Sequence, residues 1–221
     1  MRVSLVCLIG LVWCLPAVGQ QGHPLRLALG MGAVTQTSDL TSGDDPVVPG
    51  GVVGLTAELE SQKTIRPQLN LWLGRSTAQY RNAPFASGAA GAATTFVETR
   101  FFAAYLLLQA VLWKQGPVEP IVGVGVGLFS FRPYDANGAE LTTNGATRLE
   151  GETYGTTSAL VPLSVGLATS LGSRLRAEVR YQRWLTLTDY LDNVGELGTR
   201  SGNDALSHFQ LLLHLRLGDA R

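Results

Sequence analysis

The sequence is poor in the residues that build cross-links, metal centres and nucleic-acid interfaces. It has two cysteines and three histidines in 221 residues, and Cys7 and Cys14 both lie near the N-terminus. Charged side chains make up only 15% of the chain, with 17 basic and 17 acidic residues. This balance argues against a nucleic-acid partner, which usually requires a basic excess or a basic face. Because both cysteines fall within the predicted signal peptide (residues 1–19), we expect the mature fold to be held by packing and backbone pairing, without a disulfide or a thiolate metal site.

The N-terminus has the features of an export signal. Residues 1–19 combine the positive Arg2, an apolar stretch and a small-x-small cleavage site at Ala17 and Gly19. This pattern predicts a cleaved secretory signal peptide at residues 1–19. Residues 20–221 then form the predicted mature barrel domain.

Long hydrophobic runs are missing from the predicted mature domain. Its longest apolar run, residues 101–108, is far shorter than the about 20 residues that a membrane-spanning helix needs. If this domain enters a membrane, it must do so as a closed barrel, because that alternative satisfies every backbone group in lipid.

The mature region alternates apolar with small or polar residues over eight segments. Such a period of two predicts β-strands with one apolar face, and segments of about ten residues suit tilted strands that cross a bilayer. The fourth segment is apolar on both faces in its second half, which a bulge or a packed interior would explain. The predicted strands are residues 25–35, 52–60, 68–76, 96–113, 121–131, 160–171, 175–184 and 207–217.

The connections between these segments alternate in length. Short connections lie at residues 61–67, 114–119 and 172–174, and long ones near residues 37–50, 77–95, 132–158 and 186–205. Outer-membrane barrels have short periplasmic turns and longer extracellular loops. The sequence therefore predicts an all-β fold, an eight-stranded antiparallel up-and-down transmembrane β-barrel in the outer membrane of a Gram-negative envelope.

The composition of the two strand faces predicts which face points outward. One face is rich in Leu and Val, and the other carries Gly, Ala and Ser with scattered charged residues. The interior of an eight-stranded barrel is just wide enough for side chains to fill, so the small and polar face suits the lumen. The opposite orientation, a soluble periplasmic lipocalin-like binder, stays as an alternative. Aromatic residues near strand ends, Trp113, Trp184 and Tyr190, are predicted at the membrane interfaces.

Two stretches resemble known small barrels. The glycine-alternating segment 119–128 resembles the fifth strand of outer-membrane β-barrel domain proteins, and residues 163–181 are similar to their sixth-to-seventh hairpin. This family, related in architecture to the OmpA and OmpX barrels, implies insertion by the barrel-assembly machinery. The chain departs from the family at its C-terminus, where Arg221 stands in place of the usual aromatic residue. No C-terminal peptidoglycan-binding domain is expected.

Strand parity predicts a charge network inside the barrel. The signs are mixed, so pairing is possible, and a satisfied network tolerates burial better than an unpaired charge does. Two interpretations are open: a static polar core, which the narrow lumen favours, and a charge gate over a narrow solute path. The side chains predicted to point inward are Glu58, Glu60, Glu98, Glu178, Arg26, Arg100, Arg176, Arg180 and Arg216.

Catalytic and metal-binding patterns are weak. Ser207 and His208 are adjacent in a predicted strand, so their side chains point to opposite faces. His208 and His214 are six residues apart, roughly 20 Å along a strand, which is too far to bind one metal ion. The acidic loop residues Asp39, Asp44 and Asp45 could gather a hard cation such as Ca²⁺, but they lack EF-hand spacing. We therefore expect no enzymatic activity, no cofactor and no metal site.

Together these patterns predict a non-enzymatic outer-membrane barrel that serves envelope integrity or surface recognition through four long loops. Its expected partners are outer-membrane lipid, the barrel-assembly machinery and an extracellular ligand whose identity the sequence leaves open. The alternative of another class is a lipid-modifying membrane enzyme similar to lipid A deacylases. The adjacent Ser207 and His208 argue against that alternative, because a serine nucleophile needs a base within hydrogen-bond reach.

Overall fold

Eight β-strands make up most of the described part of the chain. The structure, a computed structural model, describes residues 25–38, 41, 49–59, 64–79, 96–143, 148, 151–195 and 202–217. No helix within these ranges is long and apolar enough to cross a bilayer. The strands are β1 (Leu25–Thr37), β2 (Gly50–Leu59), β3 (Ile65–Gln79), β4 (Phe96–Val111), β5 (Val118–Tyr134), β6 (Thr157–Ser170), β7 (Leu175–Thr186) and β8 (Ala205–Leu217).

Several predictions concern residues outside the described ranges. These are the signal peptide at residues 1–19, the inward Glu60, the acidic loop residues Asp39, Asp44 and Asp45, and the C-terminal Arg221.

The strands form one closed antiparallel sheet in which each strand pairs with its neighbours in sequence. β1 closes the barrel by pairing with β8, from Leu25 opposite Leu217 to Thr37 opposite Ala205. Closure leaves the sheet without exposed edges. The prediction of an eight-stranded up-and-down barrel is confirmed.

The pairing of β4 decides between the two explanations of its apolar second half. β4 pairs without interruption with β3 along residues 96–110 and with β5 along residues 98–111. An extra unpaired residue is therefore absent from both ladders, and the bulge interpretation is wrong. Leu107 is buried inside the barrel, whereas its neighbours Leu106 and Leu108 are exposed on the outer wall. The interior is packed at this level.

Short turns join the strands at one end of the barrel and long connections at the other. We call these the short-turn end and the long-loop end. The short stretches between strands span residues 60–64, 112–117 and 171–174, and the long ones span residues 38–49, 80–95, 135–156 and 187–204. The predicted alternation of lengths is confirmed.

The outer wall carries large exposed apolar side chains on all eight strands, which we call the apolar band. Along each strand these residues alternate with buried ones, so the face rich in Leu and Val points outward, as predicted. Water disfavours so large a continuous apolar surface, whereas lipid accommodates it. The lipocalin-like orientation is therefore wrong. The band includes Leu29, Met31, Leu55, Leu73, Leu106, Leu108, Val124, Val126, Val165, Leu167, Leu211 and Leu213.

Two inward-facing glycines make room for large aromatic residues in the lumen. A Cβ atom on Gly127 would lie 2.3 Å from both the Cβ of Tyr105 and the carbonyl oxygen of Ala104. A Cβ atom on Gly54 would lie 2.4 Å from the ring of Trp72. The narrow barrel therefore accepts these aromatic rings only because the facing positions lack side chains.

Candidate functional site

The lumen is filled by two kinds of side chain. Charged and amide side chains lie toward the short-turn end, and we call them the polar layer. Aromatic side chains lie toward the long-loop end, and we call them the aromatic layer. The polar layer comprises Glu58, Gln68, Gln109, Arg176, Glu178, Arg180 and His214, and the aromatic layer comprises Trp72, Phe101, Tyr105, Phe129, Phe131, Trp184 and His208.

Glu178 is the centre of the polar layer. Nε of Arg180 donates to Oε1 of Glu178 at 2.6 Å, and Nε2 of Gln109 donates to the same oxygen at 3.1 Å. Oε2 lies 3.0 Å from Nε2 of His214 and 3.6 Å from Nη2 of Arg176. This carboxylate is buried, and its charge is compensated by two guanidinium groups that approach from the same strand.

Glu58 on the opposite side of the lumen completes the polar layer. Its Oε2 accepts from Nη2 of Arg176 at 2.5 Å and from Nε2 of Gln68 at 2.7 Å. Oε1 of Gln68 in turn accepts from Nη2 of Arg180 at 2.9 Å. Two buried carboxylates therefore face two buried guanidinium groups, and each charge has an opposite charge within hydrogen-bond distance. Such pairing is what makes buried ions tolerable in a low-dielectric interior.

Trp184 is the centre of the aromatic layer. Its ring centroid lies 4.0 Å from that of His208, 5.5 Å from that of Tyr105 and 5.8 Å from that of Phe101. Its indole N–H donates to Oε1 of Gln182 at 3.0 Å, and the Tyr105 hydroxyl donates to the same oxygen at 2.8 Å. Gln182 thus satisfies the polar ends of two buried rings that would otherwise lose their hydrogen bonds.

The prediction that Trp184 and Tyr190 lie at a membrane interface is wrong. Trp184 is fully buried in the lumen, and Tyr190 packs against the same aromatic cluster. The alternation of faces along β7 places Trp184 on the same inward face as Glu178. A prediction made only from nearness to the strand end does not take this alternation into account. Trp113, just past the short-turn end of β4, is exposed on the surface.

Part of the last long connection folds over the mouth of the barrel. We call residues 187–195 the cap. Leu191 of the cap is buried in the aromatic cluster, its carbonyl accepts from the Thr99 hydroxyl, and its N–H donates to Oδ2 of Asp204 at 2.8 Å. Val194 packs with Leu141 in a second buried cluster. The cap therefore packs buried side chains into the long-loop end of the lumen.

The cap is also joined to the connection between β5 and β6. The Tyr190 hydroxyl donates to Oε1 of Glu152 at 2.7 Å, and the Tyr190 ring meets that of Tyr154 edge to face at 5.2 Å. The Arg148 guanidinium lies 3.9 Å from the centre of the Tyr154 ring. Burial among these groups raises the pKa of Tyr154 to about 12, although the Arg148 charge opposes the shift. The two connections thus form one folded unit above the barrel.

The structure separates the predicted charge network into members inside and outside the lumen. Glu58, Glu178 and Arg180 are buried in the polar layer, and Arg216 lies on the inner face of β8 near the short-turn end. Glu98 and Arg100 lie on the outer wall, where the side chain of Arg100 is 58% exposed. Their predicted inward orientation is wrong.

The aromatic layer explains why the predicted inward orientation of Glu98 and Arg100 on β4 is wrong. At this level the inner face of β4 carries Val97, Thr99 and Phe101, all of them buried, so the charged residues occupy the outer face. Glu98 and Arg100 lie beyond the apolar band toward the long-loop end, where outward charges are not in contact with hydrocarbon. The assumption that charged residues face the lumen holds within the band and fails at its edge.

The candidate Ser–His pair is separated by the barrel wall. The Ser207 hydroxyl accepts from Nη1 of Arg183 at 2.8 Å and from the Tyr181 hydroxyl at 3.3 Å on the outer wall. His208 points inward against Trp184, and His214 lies in the polar layer. The opposite orientation of Ser207 and His208 is confirmed, and these two residues cannot form a nucleophile–base pair.

Comparisons with known proteins agree with this architecture. The sequence matches no family model and no curated protein. Among solved structures, neisserial surface protein A (NspA) aligns over 86% of this chain and 96% of its own, with 12% identity and a TM-score of 0.55. The Ail attachment invasion locus protein of Yersinia pestis, solved with the heparin analogue sucrose octasulfate, aligns over 88% of this chain and 99% of its own, with 8% identity and a TM-score of 0.49.

The outer membrane enzyme PagL also aligns, over 86% of this chain and 98% of its own, with 13% identity and a TM-score of 0.36. At such low identity a structural likeness shows the fold alone, and here the likeness to NspA carries that conclusion. The chain has the fold of the small eight-stranded outer-membrane barrels of the OmpA and OmpX type.

Proposed function

We propose that the protein is a non-enzymatic outer-membrane barrel with a closed lumen, which presents its long-loop end at the cell surface for recognition. The observation that carries this proposal is a lumen filled by packed side chains and covered by the cap (residues 187–195). The apolar band and the alternation of short turns with long connections support an outer-membrane location with the long-loop end outside the cell.

The polar layer favours the interpretation of a static polar core and argues against that of a charge gate. Opening a solute path would require separating Arg180 from Glu178 and Arg176 from Glu58, whose atoms are 2.6 and 2.5 Å apart in a buried setting. Breaking a buried ion pair is strongly unfavourable, and barrels that conduct solutes freely have many more strands.

The folded unit above the barrel supports a role in recognition. The cap and the connection between β5 and β6 are joined through Tyr190, Glu152 and Tyr154 and are anchored to the wall through Leu191. A surface that is already ordered loses little conformational entropy on binding a partner. Binding residues are commonly found on loops that a rigid scaffold holds in position.

The location and the closed lumen are tested together. We expect the protein to stay with membranes after carbonate washing and to migrate differently on a gel before and after heating. In planar bilayers, the folded wild-type protein is expected to give no resolved current steps. Recovery in the soluble fraction, or regular conductance steps, would contradict the proposal.

Recognition is tested by a deletion that spares the barrel. A variant in which a short Gly-Ser linker replaces residues 136–155 leaves β5 and β6 complete. Outer-membrane vesicles containing the wild type or this variant are applied to a printed array of polysaccharides and extracellular-matrix proteins. We expect specific binding by the wild type and its loss in the variant. Absence of binding by the wild type, or binding that survives this deletion and equivalent deletions of the other long connections, argues against recognition by the loops.

A further inference from the structure

The outer wall contains a groove that plays no part in the proposed function. The groove has a volume of about 840 Å³ and crosses strands β8, β1, β2, β3 and β4. It is a shallow depression that is largely open to the surroundings of the wall. Its apolar walls are formed by Met31, Val53, Leu73, Phe209 and Leu211, and the side chains of Arg75 and Arg100 lie at one end.

The groove exists because the outer face of the wall lacks large side chains at its centre. Ala33 pairs with Gly51 across β1 and β2, and both positions face outward. A Cβ atom built on Gly51 would have no other atom within 4 Å. The space above Gly51 is therefore open to the surroundings of the wall, and a Cβ atom there would point into the groove without a clash.

One row of paired residues runs along the groove and extends beyond the apolar band at one end. The row passes from Phe209 through Ala33 and Gly51 to Arg75 and Arg100. Four spacings of about 4.8 Å between strands give the row a length of roughly 19 Å. Because strands in a closed barrel are tilted, such a row climbs obliquely across the wall. It begins among apolar residues and ends at two guanidinium groups.

The charged end of the groove suits an anion. The side chains of Arg75 and Arg100 are largely exposed, and Glu98 lies between them, 2.7 Å from Nε of Arg100 and 3.6 Å from Nη1 of Arg75. One carboxylate cannot use all the donors of two guanidinium groups, each of which carries five N–H bonds. The remaining donors fit a phosphate, which guanidinium groups bind in bidentate geometry.

We infer that this groove binds one acyl lipid with an anionic phosphate headgroup. The acyl chain lies over Gly51 and Ala33 between the apolar walls, and the phosphate contacts Arg75 and Arg100. Lipid is the occupant because the groove opens on the face of the wall that contacts the bilayer, and because the charge at its polar end is complementary to a phosphate headgroup. The inference uses the membrane-spanning fold and is independent of recognition by the loops.

The test measures lipid retained on the folded protein by native mass spectrometry. The protein in detergent is mixed with dimyristoyl phosphatidylglycerol, or with the zwitterionic phosphatidylcholine of the same chains. We expect the wild type to retain one phosphatidylglycerol at least tenfold more than phosphatidylcholine. The variant Gly51→Leu, which places a large side chain at the centre of the groove, is expected to reduce this retention at least tenfold.

Two further variants make the test specific. Ala57→Leu adds the same side chain on the same outer face of β2 but away from the groove, and it should retain lipid as the wild type does. The double variant R75Q/R100Q should keep acyl-chain binding but lose the preference for phosphatidylglycerol. Heat-modifiable migration checks that each variant is folded, and Gly51→Ala replaces Gly51→Leu if the latter does not fold. Equal retention of the two lipids by the wild type, or equal effects of Gly51→Leu and Ala57→Leu, would overturn the inference.

Discussion

Replacing Glu178 by glutamine tests whether the polar layer stabilises the barrel as a paired network. The substitution keeps the shape of the side chain but removes a charge that lies 2.6 Å from Arg180 and 3.6 Å from Arg176. Within the described part of the chain, Glu58 is then the one carboxylate of the polar layer that still faces these two buried guanidinium groups. Removing one partner of a buried ion pair costs about 3–5 kcal/mol, because the other charge stays buried without compensation.

The measurement is urea unfolding of the protein in lipid vesicles, followed by tryptophan fluorescence. We expect Glu178→Gln to lower the free energy of unfolding by about 3–5 kcal/mol, and the added substitution Arg180→Met to recover part of that loss by removing the uncompensated charge. Glu98→Gln is the matched control, because Glu98 also contacts two arginines but lies at the outer surface, where ion pairs contribute little. The reasoning is refuted if Glu178→Gln costs less than about 1 kcal/mol, the size of an ordinary hydrogen bond, or no more than Glu98→Gln.

Three further predictions test the outer wall, the packed lumen and the cap. In the same unfolding assay, Val124→Arg in the apolar band should cost about 2–4 kcal/mol, and Ser130→Arg on the same face near the long-loop end about 0–1 kcal/mol; equal costs would contradict the band. Gly127→Val should prevent heat-modifiable folding, because its Cβ atom would lie 2.3 Å from a backbone oxygen, whereas Gly51→Ala should fold normally. Leu191→Ala should raise protease cleavage of the cap on intact cells at least tenfold, and unchanged cleavage would show that Leu191 does not hold the cap in place.

The parts of the fold that the sequence predicts are those that repeat along the chain. The period of two in β1, β5 and β8 predicts strands, and the alternating connection lengths predict their number and direction. The inward orientation of Glu58, Glu178 and Arg180 also follows from parity, because each lies opposite outward Leu, Val or Ala residues on the same strand. Such patterns are local, so a single strand suffices to recognise them.

The errors arise where a residue's orientation depends on its height in the barrel. Glu98 and Arg100 carry the charges expected of a lumen, yet they lie on the outer wall beyond the apolar band. Trp184 and Tyr190 have the chemistry of interface residues, yet they pack in the interior. A sequence gives the alternation along one strand, but not the level at which the lipid ends or the side chains that fill the lumen from the facing strands.

By itself, the sequence determines a barrel with its apolar face outward, because backbone pairing and lipid contact impose the same alternation on every strand. Only the tertiary structure decides which residues meet across strands. The closed register places Gly51 beside Arg75 and Ala33, and it brings Glu58 within hydrogen-bond distance of Arg176, 118 residues away. The physical reason is that tilt and stagger are properties of the closed sheet, and they set the contacts between strands that no single strand can specify.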